Sequence, residues 1–147
     1  MGNTHTFSGF TYRTLVYIGD ATPFGQAYFA KYFEWQGRAR EEFFQAIVPS
    51  AKLLLETFRI VTAEASVTYR QELFLYDPVA IEIHIMGLTK ASVVLRFTYR
   101  NARTGEVAAV GLQKLVFTDQ DGRIVPVPDD ARAGALAYLK RQDAPEP

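Results

Sequence analysis

Cysteine is absent from this 147-residue chain. Its absence excludes disulfides, cysteine-ligated zinc and a thiol nucleophile, and leaves the redox compartment open. Net charge is absent too. Lys+Arg and Asp+Glu both number 16, so nothing electrostatic points to nucleic acid or an anionic membrane as partner. Histidine is scarce, with only two. His5 lies in the terminal stretch and His84 on the polar side of a strand pattern, which leaves no Ser-His-Asp set. No GxSxG elbow, P-loop, GxGxxG or HExxH occurs. No acidic or histidine cluster suggests a metal, and no cofactor is implied. No apolar run is long enough to span a bilayer. MGNTHTFSGF lacks the basic start and apolar centre of a signal peptide. A soluble, cytoplasmic protein is therefore expected. Gly2 and Thr6 fit a myristoylation pattern loosely, against the plainer reading of a frayed terminus.

Apolar and aromatic residues are what the chain has in excess: 48% hydrophobic and 14% aromatic, with 11 Phe and 8 Tyr. One domain of this length buries a real core, and the surplus predicts self-association. The pattern along the chain predicts a strand over Phe10–Ile18, a turn over Asp20–Gly25 and a helix from Gln26 to about Ile47. Leu53–Leu75 begins ambiguously and then reads as a strand near Ile60–Leu73. Val79–Leu88 alternates, with Val79, Ile81, Ile83 and Ile85 facing one way and Glu82, His84 and Met86 the other. Strands over Ala91–Asn101 and Val107–Thr118 flank a hairpin turn at Arg103–Glu106, and a short helix covers Asp129–Leu139. The tail RQDAPEP reads as disordered. Short turns between successive strands force antiparallel neighbours. The predicted fold is α+β: one antiparallel sheet wrapped around a single long α-helix, one domain over residues 1–147 with a core from about 10 to 140. The sheet keeps an unprotected edge that a second copy would cover.

The richest stretch is DATPFGQAYFAKYFEWQGRARE, Asp20 to Glu41. At about 100° per residue, one arc of its helix holds Tyr28, Phe29, Tyr32, Phe33, Trp35, Gln36, Ala39, Arg40 and Phe43. The opposite arc holds Lys31, Glu34, Arg38 and Glu41. Arg40 and Gln36 thus lie on the apolar side, where a guanidinium needs partners or a wet cavity. Either Arg40 serves chemistry or it pairs with a carboxylate such as Asp20 or Glu72. The turn-to-helix junction offers N–H groups near Gly25–Tyr28 that could hold an oxyanion. It could equally be simple helix initiation, with Thr22 as a flanking cap.

These residues carry a resemblance. The Asp-x-x-Pro-x-Gly turn followed by Ala-Tyr-Phe-x-x-Tyr-x-x-Trp resembles the hotdog-fold acyl thioesterases of the 4-hydroxybenzoyl-CoA type. Trp35-Gln36-Gly37-Arg38-Ala39-Arg40-Glu41 and the later MGLTKASVVLRFTYR are similar to the thioesterases of enediyne polyketide biosynthesis. The generic family has a catalytic Asp three residues before the turn glycine, where this chain has Thr22. The enediyne subfamily usually has Asn there, and relies on the arginine that matches Arg40. A threonine is no base near neutral pH, so the weight falls on Arg40.

The resemblance implies a thioesterase acting on an acyl chain held by phosphopantetheine, on the acyl carrier domain of a polyketide synthase or on CoA. The product would be a β-keto acid that can go on to lose CO2. Arg40, Thr22 and Tyr32 are the implied catalytic residues. Gly25, Gln26, Ala27, Tyr28, Phe29, Phe33 and Gln36 are the implied substrate contacts. A homodimer assembled into a homotetramer is expected, with each site built from both chains of a dimer. Two alternatives stand beside this: a general acyl-CoA thioesterase, and a non-catalytic acyl-binding hotdog protein.

Overall fold

In the computed structural model, residues 7–143 are described; the readings at Gly2, His5 and Thr6 and the last four residues of the tail lie outside them. The order is β1 (Thr11–Leu15), a single 3-10 turn (Ile18–Asp20), α1 (Lys31–Ile47), α2 (Ala51–Thr57), β2 (Arg59–Tyr69), β3 (Pro78–Leu88), β4 (Ser92–Asn101), β5 (Val107–Thr118), β6 (Ile124–Val125) and α3 (Asp129–Asp143). The sheet runs β1-β3-β4-β5-β2, with β6 hanging on β5, and every pairing is antiparallel. This is the α+β architecture expected, a sheet curled around one long helix.

The core lies between α1 and the concave side of the sheet. Tyr32, Trp35, Ala39 and Phe43 of α1 are buried against Ile81, Ile83 and Ile85 of β3, Leu95, Phe97 and Tyr99 of β4, and Leu115 and Phe117 of β5. Each large apolar side chain buried this way contributes about 1.5–3 kcal/mol. Val79, Ile81, Ile83 and Ile85, read as one face of β3, are all buried; on the other face Ala80 and Glu82 are buried as well, His84 and Met86 are more open, and a bulge between Ile85 and Gly87 ends the run.

Several boundaries differ from expectation: β1 stops at Leu15, short of Ile18, β2 stops at Tyr69, short of Leu73, and both ends of the helical content shift. The long helix begins at Lys31, not Gln26. Thr22 N–H donates to the Gln26 carbonyl (2.8 Å), Ala27 N–H to Leu73 (2.7 Å) and Tyr28 N–H to Asp20 (2.8 Å). Those bonds fold residues 21–28 into a turn docked on the segment before β3, and helical pairing starts only afterwards. Gly25 sits at φ +94° in that turn, where a side chain would strain the backbone. At the other end α3 runs through Asp143, so Arg141–Asp143 of the expected disordered tail are helical.

The two sheet edges are treated differently. Beyond the end of β1, α3 covers the edge of β3. The Tyr138 O–H donates to the Ile83 carbonyl (2.6 Å) and accepts from Phe10 N–H (2.8 Å). The Gln142 amide takes both backbone groups of Ile85, at 2.9 and 2.8 Å. Side chains there stand in for a neighbouring strand. On the opposite side, β2 has β5 along one flank and, among the described residues, no strand along the other, and most of its residues are exposed. Bare edges of this length pair with other chains unless they are protected.

Candidate functional site

The implied site residues divide into two groups. Thr22, Gln26, Ala27, Tyr28, Phe29 and Tyr32 line one cleft of about 450 Å³, closed on the far side by Tyr69, Arg70, Gln71 and Glu72. Arg40 lies elsewhere, eight residues beyond Tyr32 on α1, which is about 12 Å of helix rise. It stands at one end of a narrow apolar cavity of about 40 Å³ between α1 and the sheet. The single chain does not bring Arg40 and Thr22 to the same wall.

Arg40 makes no ion pair among the described residues, so pairing with Asp20 or Glu72 is not its role. Its Nη1 donates to Thr62 Oγ1 on β2 (2.6 Å) and to Gln113 Oε1 on β5 (3.1 Å). Burial lowers its pKa, and the neighbouring charge of Glu41 pulls it back; an arginine stays protonated regardless. The guanidinium thus carries a positive charge held only by neutral oxygens. Arg38, on the opposite arc, is exposed and its nearest acid is Glu34 at 3.7 Å. The helical phase separates the two arginines as expected.

Gln36, expected to touch substrate, is completely buried and its amide is engaged within the protein. Its Nε2 donates to the Ser66 carbonyl (3.0 Å), and its Oε1 accepts from Gln113 Nε2 (2.8 Å). A carbonyl can only accept, so Ser66 fixes the orientation of the Gln36 amide, which fixes that of Gln113. The one-way chain ends with Gln113 Oε1 facing Arg40. Gly111 makes room for it: a Cβ there would collide with Gln36 Nε2.

In the other cleft, Thr22 is half-buried and its Oγ1 accepts from Phe24 N–H (3.2 Å). It caps the turn rather than the helix. The N–H of Gly25 is taken by the Thr22 carbonyl (2.9 Å), and those of Ala27 and Tyr28 by Leu73 and Asp20. The helix-terminal oxyanion cradle expected at Gly25–Tyr28 is therefore not there. Only Gln26 N–H in that turn has no acceptor among the described residues. Tyr32 is buried against Tyr69 and Tyr99, with ring centroids 4.9 and 5.3 Å away. Burial, with Tyr69 and Glu72 adding to it, pushes its pKa up to about 12 against a backbone hydrogen bond at Leu73. At neutral pH it is an O–H donor and no base. Phe29 and Phe33 are 61% and 40% exposed. Both belong to the helix entry, and Tyr69 at the end of β2 donates to the Phe29 carbonyl (2.7 Å).

Sequence reasoning missed Thr62, Gln113 and Tyr69. They reach α1 from strands far along the chain, and no local pattern announces that. Gln113 alone left a trace, as a polar residue on the side of β5 that otherwise carries Ala109, Gly111, Leu115 and Phe117.

The pattern of the thioesterase-like superfamily matches residues 16–135. The chain belongs to that superfamily. It is accordingly a thioesterase, a hydrolase of acyl thioesters. The superfamily match spans both the docked turn and the helix that carries Arg40. Among solved structures, the dynemicin thioesterase is similar over 87% of this chain and 95% of its own, with 25% identity and a TM-score of 0.81. A gentisyl-coenzyme A thioesterase shares the fold at 24% identity and TM-score 0.76, over 85% of this chain and 98% of its own. A 1,4-dihydroxy-2-naphthoyl-CoA thioesterase from Synechocystis does so at 16% and 0.78, over 86% and 95%. No curated protein sequence matches the chain significantly. Among the described residues no group of acids or histidines is placed to hold a metal. No helix among them is long and apolar enough to cross a membrane.

Proposed function

We propose that this thioesterase releases a polyketide chain, a polyene β-keto acyl group, from the phosphopantetheine of a carrier domain. What carries the reading is Arg40: a cation with neutral partners at the mouth of an apolar cavity. The chain enters the cavity and the thioester carbonyl stays at the guanidinium. Water adds to the carbonyl carbon, and Arg40 stabilises the charge that develops on oxygen. The C–S bond then breaks, the thiol leaves with the proton lost by water, and the β-keto acid is free to lose CO2. The crystal structures of the dynemicin thioesterase concern polyene binding, which favours a polyene over a simple acyl chain. Incubation with matched acyl-CoA and acyl-carrier thioesters, followed by mass spectrometry of the products, tests this. Hydrolysis confined to free CoA esters would replace the carrier domain by CoA. Binding without turnover above background would sink the hydrolase.

The distance between Arg40 and Thr22 supports a site shared by two chains. The bare edge of β2 lies next to Arg40 through Thr62, and exposed Phe29 and Phe33 flank it. In the proposed homodimer, the turn of one chain meets Arg40 of the other, and two dimers form a tetramer. Light scattering should find no monomer at micromolar concentration in an active preparation; a stable, active monomer there contradicts the shared site.

Thr22 then positions water or substrate from the turn. Thr22→Val should lower turnover by no more than about tenfold, since one neutral hydrogen bond is worth ~1 kcal/mol. Thr22→Asp restores the carboxylate of the generic family and should retain activity on simple acyl-CoA esters. An ionised Asp is the active form as base or nucleophile. Its unperturbed pKa of about 3.9 rises with burial, so the rate should climb as pH rises through that value. If Thr22→Val equals the parent on every substrate, Thr22 has no part in the reaction.

A further inference from the structure

Two empty spaces meet at Val127. The apolar cavity that starts at Arg40 follows α1 past Phe43, Phe44 and Ile47 to Val48, and there it reaches Val127. On the other side of Val127 a surface cleft of about 490 Å³ opens between α2 and the start of α3, with Leu53, Leu54 and Phe58 on its wall. Val127 is itself 3% exposed, and its N–H is anchored to the Lys90 carbonyl at 2.8 Å. The backbone there is pinned, and the isopropyl group stands between the two spaces.

We propose that Val127 is the chain-length gate of this enzyme: acyl chains longer than the inner cavity pass it and lodge their tails in the α2–α3 cleft. This rests on the thioesterase reading of the Arg40 cavity. Three features of the fold support it. First, the inner cavity is short. From Arg40 to Val48 the helix rises about 12 Å, roughly the reach of an extended decanoyl chain, and at about 40 Å³ the space along it is narrower than such a chain, so its lining side chains part as the chain enters. Second, another exit between α1 and α3 is shut by backbone. Gly134 of α3 is seated so close to the Ile47 carbonyl that even a Cβ there would collide with it. At Val127 the barrier is a small side chain. Third, the cleft beyond is lined by α2 leucines, of which Leu53 is 67% exposed. An apolar tail covering it removes that surface from water.

The test separates gate from hydrolase by measuring binding without turnover. Displacement of a fluorescent polyene fatty acid, cis-parinaric acid, by hexanoic, decanoic and palmitic acids is followed on the parent, Val127→Ala and Leu53→Arg. Val127→Ala should tighten palmitic acid about tenfold by widening the passage and leave hexanoic acid unchanged, a gain of the size expected from about two more buried methylenes. Leu53→Arg places a charge on the cleft wall. It should weaken palmitic acid by about tenfold and leave decanoic acid unchanged. Hydrolysis of the matching acyl-CoA esters should follow the same order. A palmitic-to-decanoic ratio equal in all three proteins overturns the gate, as does the absence of saturable fatty-acid binding by the parent. Should Val127→Ala not fold, the exposed Leu53 site decides alone. A length response in binding with no thioester hydrolysis keeps the gate and removes the hydrolase. Hydrolysis with a flat length response does the reverse.

Discussion

Arg40→Ala should lower kcat/KM by about 10²–10³, the usual cost of removing one preorganised stabiliser of a developing oxyanion, while Arg38→Ala leaves it nearly unchanged. The two residues are two apart on one helix and share charge, size and propensity. Only their direction differs. Arg38 holds an exposed ion pair at 3.7 Å, of a kind worth ~0.3–0.5 kcal/mol on a helix surface. Arg40 faces inward onto Thr62 and Gln113. Its loss also leaves Gln113 Oε1 without a donor, which costs about 1–3 kcal/mol of stability at a buried site. Thermal unfolding must therefore accompany the kinetics, and the rate must fall where the variant is still folded. Arg40→Lys makes a sharper probe. It keeps a point charge, but its ammonium sits on a different stem from the guanidinium and does not reproduce the place where Nη1 meets both Thr62 Oγ1 and Gln113 Oε1, so it should fall between parent and alanine. Equal activity of the two alanine variants would remove Arg40 from the mechanism.

The direction of Arg40 was legible because α1 is long and its outer arc is charged. Periodicity over seventeen residues averages out single exceptions. The same periodicity misled at the start of the helix. Tyr28 and Phe29 continue the apolar arc in sequence, yet their segment is held by the carbonyls of Leu73 and Asp20, and a bond to residue 73 leaves no mark near residue 27. The seven residues of α2 are too few for a period to emerge, and its leucine run fits helix and strand alike. β2 was read as a strand near Ile60–Leu73 and lies over Arg59–Tyr69, but most of it is exposed on both faces, so no buried side marked where it ends. β3 and β5 were legible for the opposite reason, being buried on the side that meets α1. The site was harder. Residue type and phase singled out Arg40, whereas its supports Thr62 and Gln113 lie 22 and 73 positions away. Gln36 was noticed as a polar residue on an apolar arc, but its partners Ser66 and Gln113 lie far along the chain. Burial beside Gly111 makes it a strut.

That strut predicts a second large effect. Gly111→Ala should lower kcat by about 10²-fold without touching the site directly, because displacing a catalytic group by about 1 Å can cost that much. The added methyl collides with Gln36 Nε2 and comes within 3.1 Å of the Ser66 carbonyl. Gln36 must then leave Ser66. Without that anchor the amide of Gln36 no longer dictates the orientation of Gln113, and Gln113 no longer holds Arg40. Overpacking of this kind typically costs ~1–3 kcal/mol of stability, so a lower melting temperature is expected as well. The double variant Gly111→Ala with Gln36→Ala separates the two effects. Removing the Gln36 side chain relieves the collision and should recover much of the melting temperature. It cannot restore the chain of hydrogen bonds, so the rate should stay low, with kcat rather than KM carrying the loss. Recovery of both together would mean that Gly111 serves packing only, and that the Ser66–Gln36–Gln113 chain does not position Arg40.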